Sequence, residues 1–150
     1  MFFCAALSWL AGLVRLWGSR MSASLPVSSF FACVLALAQV PITVAVGLHR
    51  ARTGIQFFDG GDVRLLRLMR AHGNFTETVP MALIAMASAE AAGVPRGALL
   101  AGGAALVLGR GLHYATILRS GFGNGRAAGM VLTLLPTATL AAWALVRLLS

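Results

Sequence analysis

Four apolar stretches, at 25–48, 75–92, 97–118 and 127–149, each come close to the roughly 20 residues that a helix needs to cross a bilayer. Nothing else in the sequence limits the fold so severely. In hydrocarbon an unpaired backbone N–H or C=O is costly, and an open strand edge exposes a whole row of them. Each stretch is therefore expected to be a helix, and the chain an all-α integral membrane four-helix bundle. Charged residues make up 11% of the 150 and hydrophobic ones 59%, too few charges to coat a water-soluble surface.

The segments between the spans carry most of the polarity. "HRARTGIQFFDGGDVRLLRLMR" is a long connection with a turn at Gly60 and Gly61, followed by Asp62, which is placed to cap the next helix. "GVPRG" reads as a tight turn around Pro95, and "RSGFGNGRAAG" as a Gly-rich one. Pro41, Pro80 and Pro136 fall inside spans and are expected to bend them. The net charge of +8 is carried by arginine alone. Arg50, Arg52, Arg64, Arg67, Arg70, Arg119 and Arg126 belong to the first and third connections, against Arg15, Arg20, Arg96 and Arg147 on the opposite side. That bias puts the first and third connections in the cytoplasm and both termini across the membrane. Membrane lipid is thus the expected partner. Nucleic acid is not, because the arginines are dispersed among apolar spans rather than massed on a soluble face.

Residues 1–20 are set apart from a four-helix domain at 21–150. They read as a doubtful extension, either from a mis-assigned start with Met21 as the true beginning or as a short interfacial helix with Trp9 and Trp17 at headgroup level. Cys4 and Cys33 lie far apart in apolar runs, give no metal-ligand spacing, and read as small buried hydrophobes.

The start of the second span is the anomaly. "RLMRAHGNFTETVPMAL" puts Arg67, Arg70, Asn74 and Glu77 at spacings of three, four and three. At about 100° per residue these fall within roughly 80° of one another, a single polar stripe descending from the cytoplasmic mouth. An intramembrane carboxylate is costly without a partner and is a functional candidate by default. In the third span "LGRGLHYATILR" offers Arg110, His113 and Tyr114 on one face. A Glu77–Arg110 pair between helices, or an Arg70–Glu77 contact with Asn74 between them, would neutralise the charges. These residues either only join helices, at about 1 kcal/mol or less each, or line a pocket. An Arg-rich pocket with one carboxylate suits a small anionic ligand bearing one ammonium group, its carboxylates gripped by guanidinium forks. Arg126, at the start of the fourth span, is either a loop anchor or a cation able to stabilise a thiolate. "GGAALVLG" offers small residues for close helix packing, and Glu90 reads as an interfacial charge.

At these residues the sequence resembles a known family. "RAHGNFTE" looks like the RAHxNxxE signature of the MAPEG family, the membrane-associated proteins in eicosanoid and glutathione metabolism. The "HRAR" after the first span and "GRGLHY" of the third are similar too, and the resemblance runs over about 25–149. It implies a bacterial-type member in an inner membrane, four helices, a homotrimer, and glutathione as cosubstrate bound between subunits on the cytoplasmic side. By match to the motif Arg70, Asn74 and Glu77 would contact glutathione, with Arg50 reaching it from a neighbouring subunit and His113 as a further contact. Arg110 and Tyr114 are counted with them as cofactor-binding, and Arg126 as the catalytic residue that stabilises the thiolate. The lipophilic second substrate would be an electrophile or a lipid hydroperoxide. Catalytic animal members carry a tyrosine one turn after the histidine and further polar residues after the last arginine, where this chain has Ile117, Ala127 and Met130.

Three functions compete. The first is a glutathione transferase or peroxidase. The second is a non-catalytic member of the same fold that binds lipid or a partner protein. The third is a small proton-coupled exporter using Glu77, which the surrounding arginines disfavour because they would hold the carboxylate ionised.

Overall fold

The computed structural model describes residues 25–150, and the expectations for 1–20 lie outside the described residues. Those residues form four long helices, α1 (Pro26–Thr53), α2 (Val63–Ala91), α3 (Arg96–Ser120) and α4 (Asn124–Leu149). They run alternately up and down, so the α1–α2 and α3–α4 connections share one end and the α2–α3 turn has the other. α2 and α3 form the middle of the bundle. α2 packs on all three other helices, whereas the α1 and α4 backbones do not approach each other.

The all-α four-helix architecture is as expected. α1, α3 and α4 are long and apolar enough to cross a membrane. Outward-facing Leu37, Val40, Leu108, Leu135 and Val146 give the bundle an apolar exterior suited to lipid. α2 is as long but more polar in its first half. It joins the far ends of α1 and α3, so it traverses the same thickness. The helices continue through Pro41, Pro80 and Pro136. Cys33, expected to be buried, instead faces outward. On a membrane helix an outward position is also apolar, so the composition of its surroundings did not decide the side.

Two apolar clusters hold the helices together. Leu35, Ile42, Phe75, Val79, Ala82 and Leu106 join α1, α2 and α3 at mid-height. Val27, Phe31, Met86, Ala89, Leu99 and Leu140 fill the end near the α2–α3 turn. The small residues of α3 set the spacing. A side chain at Gly103 would run into the Phe31 ring, and a Cβ at Gly102 would lie 2.9 Å from Leu140 Cδ1. Gly109 and Gly129 bring α3 and α4 into backbone contact: a Cβ on Gly109 would meet Gly129 O at 2.8 Å, and one on Gly129 would meet Gly109 O at 2.7 Å.

Polar side chains close the helix ends. Asp62 caps α2, its Oδ1 accepting from the N–H groups of Arg64 at 2.8 Å and Leu65 at 2.9 Å. Its other oxygen, Oδ2, lies 2.8 Å from His49 Nε2 and so ties the cap to α1. The His49 hydrogen bond, followed by that of Leu65 N–H, holds the Asp62 carboxyl below its ordinary value. A depressed carboxylate stabilises the fold above its ordinary pKa and loses that contribution as pH falls through the folded value. Asp62→Asn keeps a capping oxygen but no charge. Its melting temperature is expected to lie below wild type at neutral pH, the two converging as pH drops below 3.8.

Glu90 does more than mark an interface. α1 starts after Leu25, which has no capping oxygen. The Glu90 carboxylate reaches across from the end of α2 and accepts from Val27 N–H at 2.9 Å and Ser28 N–H at 2.7 Å. Two orphan donors are satisfied, and a negative charge sits at a helix N-terminus. Glu90→Ala is expected to cost about 1–2 kcal/mol, seen as a lower melting temperature in detergent.

Candidate functional site

The α2 stripe opens onto a cavity of about 530 Å³ at the end of the bundle that holds the two longer connections. Leu66, Met69, Arg70, Gly73, Asn74 and Glu77 of α2 line it, and Arg126 closes it from the first turn of α4. The volume falls within the range typical of small-molecule sites, about 300–1,000 Å³. Gly73 keeps the wall low: a Cβ there would sit 3.8 Å from Glu77 Oε1, so the carboxylate leans back over the glycine. Glu77 makes no ion pair among the described residues. Among the described residues the one such pair is His49–Asp62. Arg70, Glu77 and Arg126 are all exposed at the cavity surface.

Behind the wall lies a buried polar knot. Arg110, only 3% exposed, donates through Nη1 to Asn74 Oδ1 and to Thr78 Oγ1, both at 2.7 Å. The expected Glu77–Arg110 pair is therefore not formed. Asn74 and Thr78 are the α2 side chains facing α3, and Glu77 lies on the other flank of the stripe beside the cavity. The bond has a chemical consequence. A guanidinium can only donate, so the amide oxygen of Asn74 is committed to Arg110 and its NH₂ is left to donate elsewhere. The cavity thus presents donors from Arg70, Asn74 and Arg126 and one strong acceptor, Glu77.

The remaining predicted residues stand outside the cavity lining. His113 is 2% exposed, packed under Gly129 of α4, and its Nε2 has no hydrogen-bond partner among the described residues. Tyr114, one residue on and about 100° around the helix, packs instead against the cluster of Leu35, Ile42 and Phe75. Arg110 lies between them on the helix, buried like His113, while Tyr114 is half-buried on the other flank. Arg50 folds over its own connection. Its Nη1 donates to Ile55 O at 3.1 Å and Gln56 O at 3.0 Å, and its Nη2 lies 3.2 Å from Met69 Sδ. It buttresses a cavity-lining methionine from behind.

Arg67, the first member of the stripe, turns the other way. Its Nη1 donates to Arg119 O at 3.2 Å and Leu118 O at 3.5 Å, which places a cation on the terminal carbonyls of α3. Its spacing in the sequence could not reveal this, because the α3 terminus lies some fifty residues further along the chain.

A comparison with known protein families matches residues 28–146 to the MAPEG family. A search of curated proteins found no match.

Proposed function

Because the chain belongs to the MAPEG family over residues 28–146, we propose that its polar cavity binds glutathione and that the protein is a membrane-embedded glutathione transferase or peroxidase. One observation carries the reading: Arg70, Asn74, Glu77 and Arg126 line the same cavity. Glutathione has two carboxylates, one ammonium and one thiol. Arg70 and the Asn74 NH₂ supply donors for the carboxylates, and Glu77 is the one acidic side chain available to the ammonium. Arg126 supplies a cation beside the thiol.

The chemistry proposed is activation of that thiol. A free thiol titrates near 8.5, and a neighbouring guanidinium favours its anion, which is the nucleophile. The thiolate then adds to a lipophilic electrophile, or attacks the outer oxygen of a lipid hydroperoxide that arrives through the bilayer: the O–O bond breaks, the lipid alcohol leaves, and a second glutathione converts the sulfenic acid so formed to the disulfide with loss of water. The cavity is proposed to face the cytoplasm, in a bacterial inner membrane, and the protein to act as a homotrimer. Arg50 would reach a neighbour's ligand only by exchanging its present bonds to Ile55 and Gln56. Arg110 supports the site through Asn74. His113 and Tyr114 become ligand contacts only if helix α3 turns in the bound state.

A second reading, a non-catalytic protein of the same fold that binds lipid or a partner, is favoured by Ile117 and Met130. Both are apolar where catalytic relatives are polar, and Ile117 is buried. One experiment separates the two. Adding glutathione to the detergent-solubilised protein at neutral pH is expected to raise the thiolate absorbance at about 240 nm, and Arg126→Gln is expected to abolish the rise. Binding without thiolate formation in the wild type would support the non-catalytic reading and remove the enzyme.

A further inference from the structure

Three phenylalanine rings stand in the open at the end of the bundle that holds the two longer connections. Phe57 and Phe58 of the α1–α2 connection are 81% and 85% exposed, and Phe122 of the α3–α4 connection is 82% exposed. None belongs to either apolar cluster. Phe58 also has a left-handed backbone, φ 54°, where a bulky L side chain is strained. Helix length gives the height of these rings. α1 has 28 residues, about 42 Å at about 1.5 Å per residue, against about 30 Å for a bilayer's hydrocarbon core and about 40–45 Å with its headgroups. α3, with 25 residues, is about 38 Å long. Both connections therefore leave their helices at headgroup level, the depth at which interfacial Phe and Leu side chains bury. Exposed Val40, Val44 and Leu48 carry the lipid-facing stripe of α1 up to its penultimate turn.

The charges agree. Arg52, Arg64 and Arg119 are exposed around these connections, and none is in an ion pair among the described residues. The two acids of the α1–α2 connection are engaged within the chain. Asp59 Oδ1 accepts from Gly61 N–H at 3.1 Å, and Asp62 is held by His49 and the α2 cap. What is left to the surroundings is aromatic and basic, which suits an anionic lipid surface. The connection also reaches the cavity. Arg50 Nη1 donates to Ile55 O and Gln56 O, immediately before the two rings, while its Nη2 lies against Met69 Sδ in the cavity wall.

We propose that Phe57 and Phe58, flanked by Arg52 and Arg64, dock the α1–α2 connection into the headgroup layer of an anionic leaflet, and that this docking steadies the cavity wall through Arg50 and Met69. The bilayer then covers both rings and offsets the strain at Phe58. The docking stands without glutathione, so its failure and that of the glutathione reading are separate results.

The test uses the full chain in nanodiscs containing phosphatidylglycerol, with Cys4→Ser and Cys33→Ser as background and a nitroxide label at Phe57→Cys. The label is expected to be reached by oxygen, which concentrates in lipid, and shielded from a neutral nickel chelate, which stays in water. Phe58→Gly removes the second ring and relieves the left-handed backbone, so the melting temperature is expected to hold while nickel collisions rise at least about fivefold. Arg52→Gln together with Arg64→Gln, or phosphatidylcholine in place of phosphatidylglycerol, is expected to act in the same direction. Without the label, Met69 treated with hydrogen peroxide and followed by mass spectrometry is expected to form its sulfoxide about threefold faster in Phe58→Gly than in wild type. A label open to nickel in phosphatidylglycerol nanodiscs, or one whose depth Phe58→Gly leaves unchanged, overturns the docking. Shielding from both oxygen and nickel, with dipolar broadening between copies, gives the rings to a second copy of the chain and overturns it as well. Equal depth in the two lipids overturns the role of the arginines, and an unchanged Met69 rate overturns the link to the cavity.

Discussion

Glu77→Ala is expected to weaken glutathione binding at least about tenfold, a loss of about 1.4 kcal/mol or more. The side chain faces a cavity whose other charged walls are arginines, and among the described residues it makes no ion pair of its own. Removing it takes away the one acidic partner for an ammonium group among the described lining residues and leaves that group facing cations. Truncating one partner of a desolvated charge pair typically costs about 2–5 kcal/mol, and the openness of this cavity places the effect towards the lower end. Isothermal titration in detergent reads the change. Glu77→Gln separates charge from shape: it keeps a hydrogen-bond acceptor at the same reach and is expected to recover only part of the affinity. The exporter reading makes the opposite demand, because it requires Glu77 to change protonation during transport. Glu77→Gln protein that binds glutathione as tightly as wild type would remove the assigned role.

Gly129→Val is expected to cost about 3 kcal/mol or more and to prevent recovery of folded protein. The position has no room on any side. A Cβ would meet Gly109 O at 2.7 Å, His113 Cβ at 2.8 Å and His113 N at 2.9 Å. Two of those three atoms are backbone, so relief requires α3 and α4 to move apart. Separation would also uncover His113 and Thr133, both buried at this crossing. Gly111, two residues beyond Gly109 on α3, has nothing within 4 Å of where its Cβ would stand. Gly111→Ala is therefore expected to leave the melting temperature unchanged or raise it slightly, a gain of at most about 1 kcal/mol from helix propensity. The contrast between a glycine at the α3–α4 crossing and one that faces away from it tests whether close backbone approach holds these helices, as small residues do in membrane bundles.

Which parts were readable in the sequence follows from the range of the interactions. The four helices and their order follow from runs of apolar residues, a local property. The Asp62 cap was visible because a cap lies two or three residues from the groups it satisfies. The α2 stripe was visible because helical geometry fixes which side chains share a face, and Arg70, Asn74 and Glu77 do line one cavity. Pairings between helices were not visible. Periodicity says that Arg110 needs company but not which flank of α2 it meets, so its bonds to Asn74 and Thr78 rather than Glu77 emerge only from the packing. Glu90 reads as an interfacial charge in the sequence because its partners, the first N–H groups of α1, are more than sixty residues away. His113 and Tyr114 are adjacent in sequence, yet one packs under Gly129 of α4 and the other against the mid-height cluster of α1, α2 and α3, a divergence that a shared-face argument spanning both residues blurs.

Glutathione titrated calorimetrically into the wild-type protein, solubilised in nonionic detergent at neutral pH, tests the central assignment most directly. The arrangement of Arg70, Asn74, Glu77 and Arg126 around one cavity predicts saturable binding with one or fewer tripeptides per chain and a dissociation constant of about 1 mM or tighter. Heats indistinguishable from dilution up to several times that concentration, from protein that melts cooperatively in the same detergent, would contradict it.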